Sequence, residues 1–233
     1  MDAALLDAVR AGDRRALSQA ITLVEEGAPL DGTIPDAPPI IGFTGPPGAG
    51  KSTLIAALIE RIRGRGKTVA VLAVDPSSPV TGGAILGDRI RMQAHVDDPG
   101  VYIRSMASRG HLGGLSEAAG DAVRLMRLAG FDWVFVETVG VGQSEVEVMG
   151  LADVVVLVVG PSWGDQVQAD KAGVVEVADL FVVNKADRSG AAEVKRALTE
   201  AARARGAEVL LVSAITGEGV AEVLAAVDRL AGS

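Results

Sequence analysis

The chain has 233 residues, 48% of them apolar, and a formal net charge of -8, so it can bury one sizeable core and is poorly suited to nucleic acid or anionic membrane. It has no cysteine, which excludes a disulfide framework, thiolate zinc, an iron–sulfur cluster and a cysteine nucleophile. Asp2 and Asp7 stand where a leader needs basic residues, and apolar runs such as 154–159 are too short to cross a bilayer, so a cytoplasmic protein is expected.

From the N-terminus, Leu5, Leu6 and Val9, then Leu17, Ala20, Ile21 and Val24, recur at helical spacing, with Arg14, Arg15, Glu25 and Glu26 on the other side. Two short amphipathic helices follow from that pattern. Residues 27–39 hold four prolines and read as a linker. Residues 1–38 are therefore expected to be a helical extension with its linker, and residues 39–233 the main domain. In that domain, valine- and isoleucine-rich runs at 40–43, 69–74, 101–103, 133–136, 154–159, 180–183 and 209–212 predict strands buried on both faces. Helical patterns at 51–63, 115–129, 145–150, 191–205 and 220–230 lie between or after them. The alternation predicts an α/β fold with a mostly parallel central sheet flanked by helices, of the P-loop NTPase kind. In such a sheet, ligands bind beyond the carboxyl ends of the strands.

The motifs fall in those places. After the first run comes Gly45-Pro46-Pro47-Gly48-Ala49-Gly50-Lys51-Ser52-Thr53, which fits G-x-x-x-x-G-K-[ST] and opens a helix, as a P-loop does. Glycines let backbone N–H groups close on phosphate oxygens, the helix N-terminus adds its dipole, Lys51 spans the β and γ phosphates, and the Ser52 hydroxyl ligates Mg2+. Gly45, Gly48, Ala49, Gly50, Lys51, Ser52 and Thr53 are thus the candidate phosphate-binding set.

The second run ends in Asp75-Pro76-Ser77-Ser78, and Asp88 precedes Arg89 and Arg91. By spacing, either acid could serve magnesium or the attacking water, while Asp75 fits a turn and Asp88 a helix N-cap equally well. The fourth run leads into Glu137-Thr138-Val139-Gly140, where many GTPases carry D-x-x-G. A carboxylate there can hold Mg2+ directly or through water, and the Gly140 N–H can meet the γ-phosphate; the alternative is a cap or salt-bridge acid.

The sixth run leads into Asn184-Lys185-Ala186-Asp187, which matches N-K-x-D. Asp187 can accept from both the ring N–H and the 2-amino group of guanine, whereas adenine leaves the desolvated carboxylate without partners. The alternative is a strand-to-helix turn capped by Asp187. Ser213-Ala214, after the last run, resembles the backbone guanine contact of the same enzymes. Three motifs in this order favour GTP over ATP.

Longer segments carry a more specific likeness: Ala73-Val74-Asp75-Pro76-Ser77-Ser78-Pro79, residues 82–92, Arg104-Ser105-Met106-Ala107-Ser108-Arg109-Gly110-His111-Leu112-Gly113-Gly114-Leu115, and Glu137-Thr138-Val139-Gly140-Val141-Gly142-Gln143-Ser144. Together they resemble the MeaB/ArgK/MMAA family, P-loop GTPases of the metallochaperone group, from the N-terminal helices to about Arg188. The resemblance implies a GTPase that binds GTP, GDP and Mg2+, gates adenosylcobalamin loading of an acyl-CoA mutase such as methylmalonyl-CoA mutase, and protects or reactivates that enzyme. Adenosylcobalamin would belong to the mutase, and an adenosyltransferase is a further candidate partner. It also implies that Asp75, Asp88 and Glu137 surround the metal and γ-phosphate. Mobile segments would fall at 75–88, 137–149 and 164–171, the last carrying Gln168 and Lys171 as partner-ordered catalytic groups, with a plain surface helix face as the alternative.

Two departures stand out. Trp163 and Ser162 replace small residues in Pro161-Ser162-Trp163-Gly164-Asp165, and an exposed Trp163 would serve as a partner anchor. The chain also stops at Ser233, without the long helical arm that joins two subunits in relatives, so a monomer or a weak, nucleotide-dependent dimer is expected. Nickel insertion is disfavoured by the absence of cysteine, with only His95 and His111 on hand. Two other rivals are a kinase or ATPase accessory to amino-acid transport and a regulatory module that barely hydrolyses GTP. Val141 stands where Ras-like enzymes place a water-positioning glutamine, and Gln143 lies two residues further on, so slow intrinsic hydrolysis is expected.

Overall fold

In a computed structural model that describes residues 1–30, 34, 38–76, 95, 97–108, 114–138, 143–166 and 172–232, each expected apolar run forms a strand. These are β1 (Ile40–Thr44), β2 (Val69–Pro76), β3 (Val101–Ser108), β4 (Trp133–Thr138), β5 (Val154–Val159), β6 (Leu180–Val183) and β7 (Glu208–Leu211). They make one seven-stranded sheet in the order β3-β2-β4-β1-β5-β6-β7, and every neighbouring pair is parallel. The described helices are α1 (Ala3–Arg10), α2 (Arg14–Glu25), α3 (Lys51–Gly64), α4 (Gly114–Leu128), α5 (Gln143–Met149), α6 (Ala172–Val177), α7 (Ala191–Arg203) and α8 (Val220–Leu230), with a 3-10 turn at Pro161–Gln166. None of them is long and apolar enough to cross a membrane.

The period of two along each strand sorts side chains to the two faces of the sheet. Ile40, Ala70, Leu72, Val134 and Val136 meet α1, α2, α4 and α5 on one face. Ile41, Phe43, Val69, Val71 and Phe135 meet α3 and α8 on the other. Leu157, Val159, Phe181 and Val183 complete a third cluster with α7 and Trp163. Trp163 is only 4% exposed, so the expectation of an exposed partner anchor is wrong. The 3-10 turn after β5 folds the indole under α7, where it gains more by burial than it would in water.

The strand β3 runs past the expected end at residue 103, and its inward polar residues explain how. Arg104 points to α2, donates to Thr22 Oγ1 at 3.1 Å and pairs with Glu25. Two residues back, Tyr102 OH lies 3.0 Å from Ser18 Oγ, and burial pushes its phenol pKa up. The Arg14 guanidinium donates to the carbonyls of Asp98 and Val101 at the start of this edge strand, a position that otherwise invites strand addition. Asp2 and Asp13 start the two N-terminal helices, the Asp13 carboxylate accepting from the backbone of Arg15 at 2.8 Å and Ala16 at 3.0 Å, a cap of about 1 kcal/mol.

At the amino end of the sheet, two carboxylates tie loops together. Asp98 accepts from Arg63 Nε at 2.9 Å and from the Gly100 N–H at 2.7 Å, and the Arg63 bond foremost holds its pKa below the usual range. For Asp132, burial pushes the pKa up, but bonds from Lys67 at 2.8 Å and from the Thr68 N–H and hydroxyl at 2.8 and 2.9 Å outweigh it, so the net shift is downward. A lowered folded pKa contributes stability that is whole above about pH 4, the unfolded carboxyl value, and is lost as pH falls through the folded value. Melting temperatures are therefore expected to hold steady down to the ordinary carboxylate range and to drop below it. Asp132→Asn should lower the neutral plateau and shrink that acid drop, as followed by circular dichroism.

Candidate nucleotide site

The register of the central strands assembles the site. Phe43 of β1 pairs with Glu137 of β4 and Thr44 with Leu157 of β5, so the loops after β1 and β4 leave the sheet side by side. Val159 pairs with Val183, and Val183 with Leu211. The Asn184 turn and the Ser213 loop thus rise next to each other on the far side of the same edge.

The loop after β1 is shaped by close backbone approach. Gly45 leaves the strand at φ 133°, where any Cβ would collide with the Val158 carbonyl oxygen. Gly50 is the N-cap of α3 at φ 92°, where a Cβ would run into the amide nitrogen of Asn184. That amide cannot step aside cheaply: it is 2% exposed and donates to the carbonyls of Ala49 at 3.0 Å and Gly50 at 3.2 Å. A left-handed conformation costs an L-residue about 1–2 kcal/mol in any case. Gly50→Ala is expected to lower the melting temperature and to weaken nucleotide binding about tenfold or more, checked by thermal unfolding and calorimetry.

Lys51, buried in the first turn of α3, folds its ammonium onto the carbonyls of Gly45 at 2.6 Å and Pro46 at 3.3 Å. Thr53 follows in the same turn. The Ser52 hydroxyl donates to Glu137 Oε1 at 2.7 Å, and both side chains are buried, Glu137 to 1% exposure. Glu137 is therefore a strand residue aimed at the P-loop, not a helix cap. A hydroxyl and a carboxylate at hydrogen-bond distance at a helix N-terminus are the hard oxygen donors that Mg2+ takes, so the residues fit the ion.

Beyond β6, Asn184 stitches three loops together. Besides holding the P-loop through its amide nitrogen, its carbonyl oxygen accepts from the N–H of Lys185 at 2.8 Å and of Ala214 at 3.1 Å. Lys185 takes φ 62°, a left-handed conformation unusual for a side-chain-bearing residue, and its ammonium reaches the Gly48 carbonyl at 2.6 Å. Asp187 is exposed, and its Oδ1 accepts from the fully buried Ser213 hydroxyl at 2.7 Å. That bond, above all, holds its pKa below the usual carboxylate range. The N-cap of α7 is Gly190, so Asp187 caps no helix. It is an ionised, oriented acceptor at the mouth of the site.

The structure thus brings together Gly45, Gly48, Ala49, Gly50, Lys51, Ser52, Thr53 and Glu137 on one side and Asn184, Lys185, Asp187, Ser213 and Ala214 on the other. Asp75 lies inside β2, paired with Ala107, rather than in a turn, but its side chain is outside the described residues. So are Asp88, Gly140, Gln168 and Lys171, and with them residues 77–88, 139–142 and 167–171 of the expected mobile segments. One contact had no sequence signal: Arg61 of α3 donates to the Gly217 carbonyl at 3.0 Å and braces the loop that carries Ser213 and Ala214.

Residues 17–232 match the family model described as methylmalonyl Co-A mutase-associated GTPase MeaB. A Pyrococcus horikoshii protein described as a GTPase is 56% identical over 198 residues, covering 80% of this chain and 61% of its own length. GTPase ArgK of Escherichia coli is 46% identical over 190 residues, 77% of this chain and 57% of that protein. The mitochondrial methylmalonic aciduria type A homolog of Caenorhabditis elegans is 40% identical over 219 residues, 84% of this chain and 54% of that one. The chain therefore spans between 54% and 61% of the length of these relatives. The crystal structure of a LAO/AO transport system kinase superposes with a TM-score of 0.73 at 31% identity, over 99% of this chain and 76% of its own. The hydrogenase maturation factor HypB of Archaeoglobus fulgidus, at 20% identity and a TM-score of 0.62 over 98% of this chain and 99% of its own, shares the fold. With the family model taking in residues 17–232 and identities of 40–56% to these three relatives, the chain belongs to the MeaB family.

Proposed function

We propose that the chain is a Mg2+-dependent GTPase, hydrolysing GTP to GDP and phosphate, and that its nucleotide cycle serves an adenosylcobalamin-dependent acyl-CoA mutase by gating cofactor loading and protecting or reactivating the enzyme. The observation that carries the guanine reading is the exposed Asp187 carboxylate, held ionised and oriented by the buried Ser213 hydroxyl at 2.7 Å. Such an acceptor matches the paired N–H donors of guanine and is mismatched to adenine. Support for the mutase comes from the family description and from the Caenorhabditis elegans relative's name. Calorimetry tests the nucleotide half: GDP is expected to bind far more tightly than ADP, and equal affinities would sink it.

The residues divide the work. Lys51 neutralises charge on the β and γ phosphates from inside the P-loop, where its ammonium already faces a row of carbonyls. Ser52 and Glu137 would hold Mg2+, with Asp75 and Asp88 as further ligands or orienters of the attacking water. The ion would supply Lewis-acid neutralisation of phosphate charge. Val141 can neither accept from nor donate to water, so the free protein is a slow enzyme. Gln168 and Lys171 are proposed to complete the site when the mutase orders their segment, Lys171 meeting developing phosphate charge as an arginine finger does. Lys171→Ala is then expected to lose most of the mutase-stimulated rate while GDP affinity stays within about twofold of wild type. Phosphate release with the mutase present and absent checks this, and undiminished stimulation in the variant removes the lysine from the mechanism.

A second reading, a kinase accessory to amino-acid transport, has the likeness to the LAO/AO transport system kinase in its favour. It requires transfer of the γ-phosphate to an acceptor. Detection of any phosphorylated product other than free phosphate would revive it.

A further inference from the structure

The helix α2 is held to the sheet by more than its apolar side. Leu17, Ala20, Ile21 and Val24 are buried where α2 packs on α4. A second stripe, Arg14, Ser18, Thr22 and Glu25, follows helical spacing along the side that meets β3. Each member is bonded to β3, in ascending order along both elements. Arg14 donates to the Val101 carbonyl, Ser18 meets Tyr102, and Thr22 and Glu25 both accept from Arg104. The hydroxyls are oriented alike. Ser18 Oγ donates to the Arg14 carbonyl at 2.9 Å and Thr22 Oγ1 to the Ser18 carbonyl at 3.0 Å, so each turns a lone pair to β3, where Tyr102 and Arg104 are the donors.

Such a polar zipper is a poor device for stability. The Arg104 and Glu25 side chains are only 23% and 16% exposed, and the buried Arg104 Nε finds no acceptor among the described residues. A desolvated pair with an unmet donor adds little to folding, and apolar side chains in its place often fold as well or better. What the rungs do supply is register, because a slip of β3 by one residue turns every side chain on it to the other face. Register matters at the far end of the strand. β2 pairs with β4 only as far as Val74 opposite Thr138, whereas its pairing with β3 runs on through Asp75 opposite Ala107 and Pro76 opposite Ser108. Among the described residues, the backbone of Asp75 is thus held in the sheet by β3 alone, and β3, an edge strand, is gripped by α2.

We propose that Arg104 and Glu25, with Tyr102 and Ser18 beside them, are positioning residues for Asp75: the zipper sets the register of β3 and, through it, the place of the acid assigned to Mg2+ or the attacking water. The inference rests on that assignment of Asp75 and gives the N-terminal helices a part in hydrolysis. The test is single-turnover phosphate release from GTP at saturating Mg2+, with GDP calorimetry and thermal unfolding in parallel. Glu25→Leu combined with Arg104→Met should melt close to wild type, while its rate falls about tenfold and its GDP affinity stays within about twofold. Asp132→Asn, at the other end of the sheet, should melt lower without slowing hydrolysis. In an Asp75→Asn background the double replacement should cost less than about twofold more, because the group it positions is already gone. A folded double replacement within about twofold of the wild-type rate, or its full loss repeated in the Asp75→Asn background, would overturn the proposal. Should the double replacement not fold, Tyr102→Phe decides instead: a loss of about threefold supports the zipper, and the wild-type rate overturns it. The underlying reading fails differently, by an Asp75→Asn rate equal to wild type, and the proposal would fall with it.

Discussion

Asp187→Asn is expected to lower GDP affinity about a hundredfold or more and to raise affinity for xanthosine diphosphate by a similar factor. In the wild type, the Ser213 hydroxyl occupies one side of Oδ1 at 2.7 Å and leaves the carboxylate free to accept from the ring N–H and 2-amino group of guanine. An asparagine keeps the oxygen that Ser213 needs but places an amide nitrogen where guanine presents a donor, so two donors face each other without an acceptor. Xanthine carries a carbonyl in place of the 2-amino group and accepts from that nitrogen. The exchange changes little else, because Asp187 is exposed and caps no helix, so stability should be nearly unaffected. Ser213 supplies a pH signature too. Its bond holds the Asp187 pKa low, so the Asp187 contribution to GDP affinity should stay whole from neutrality down to about pH 4 and be lost only as the carboxylate finally protonates.

Lys51→Ala is expected to cut GTP hydrolysis on the order of a thousandfold, with or without a partner, and to weaken GDP as well. The ammonium sits inside the loop, 5% exposed and bonded to the Gly45 and Pro46 carbonyls, so removing it takes away both the charge that meets the phosphates and a tie that shapes the loop. Lys51→Met keeps most of the apolar stem but not the ammonium, so it separates lost packing from the lost charge and its carbonyl bonds. It should recover part of the melting temperature without recovering hydrolysis. Phosphate release by all three proteins, with thermal unfolding in parallel, decides between loss of the ammonium and loss of packing.

Much of this was legible in the sequence because the decisive strings are local. The P-loop needs its glycines, lysine and serine within one turn, and the guanine motif needs its asparagine and aspartate within four residues, so chain order alone reveals both. The strands were legible because burial on both faces leaves unbroken apolar runs. What escaped depends on pairings between distant residues. The extension of β3 rests on Arg104 meeting Glu25, 79 residues away. The brace on the 213–218 loop joins Arg61 to Gly217 across 156 residues, and neither residue type announces such a partner. Trp163 was misjudged because a tryptophan between a proline and a glycine suits an exposed loop as well as the buried 3-10 turn it occupies. Ser52 and Glu137 are 85 residues apart, yet their nearness follows from the sequence, because each lies in a motif at the carboxyl end of one of two strands that a parallel sheet sets side by side.

The most direct test of the account is phosphate release from GTP and from ATP, each with Mg2+, measured alone and with an adenosylcobalamin-dependent acyl-CoA mutase such as methylmalonyl-CoA mutase. The account predicts slow release from GTP, a marked rise when the cognate mutase is added, and negligible release from ATP under either condition. Equal turnover of ATP and GTP, or a GTP rate that none of the acyl-CoA mutases changes, would contradict it.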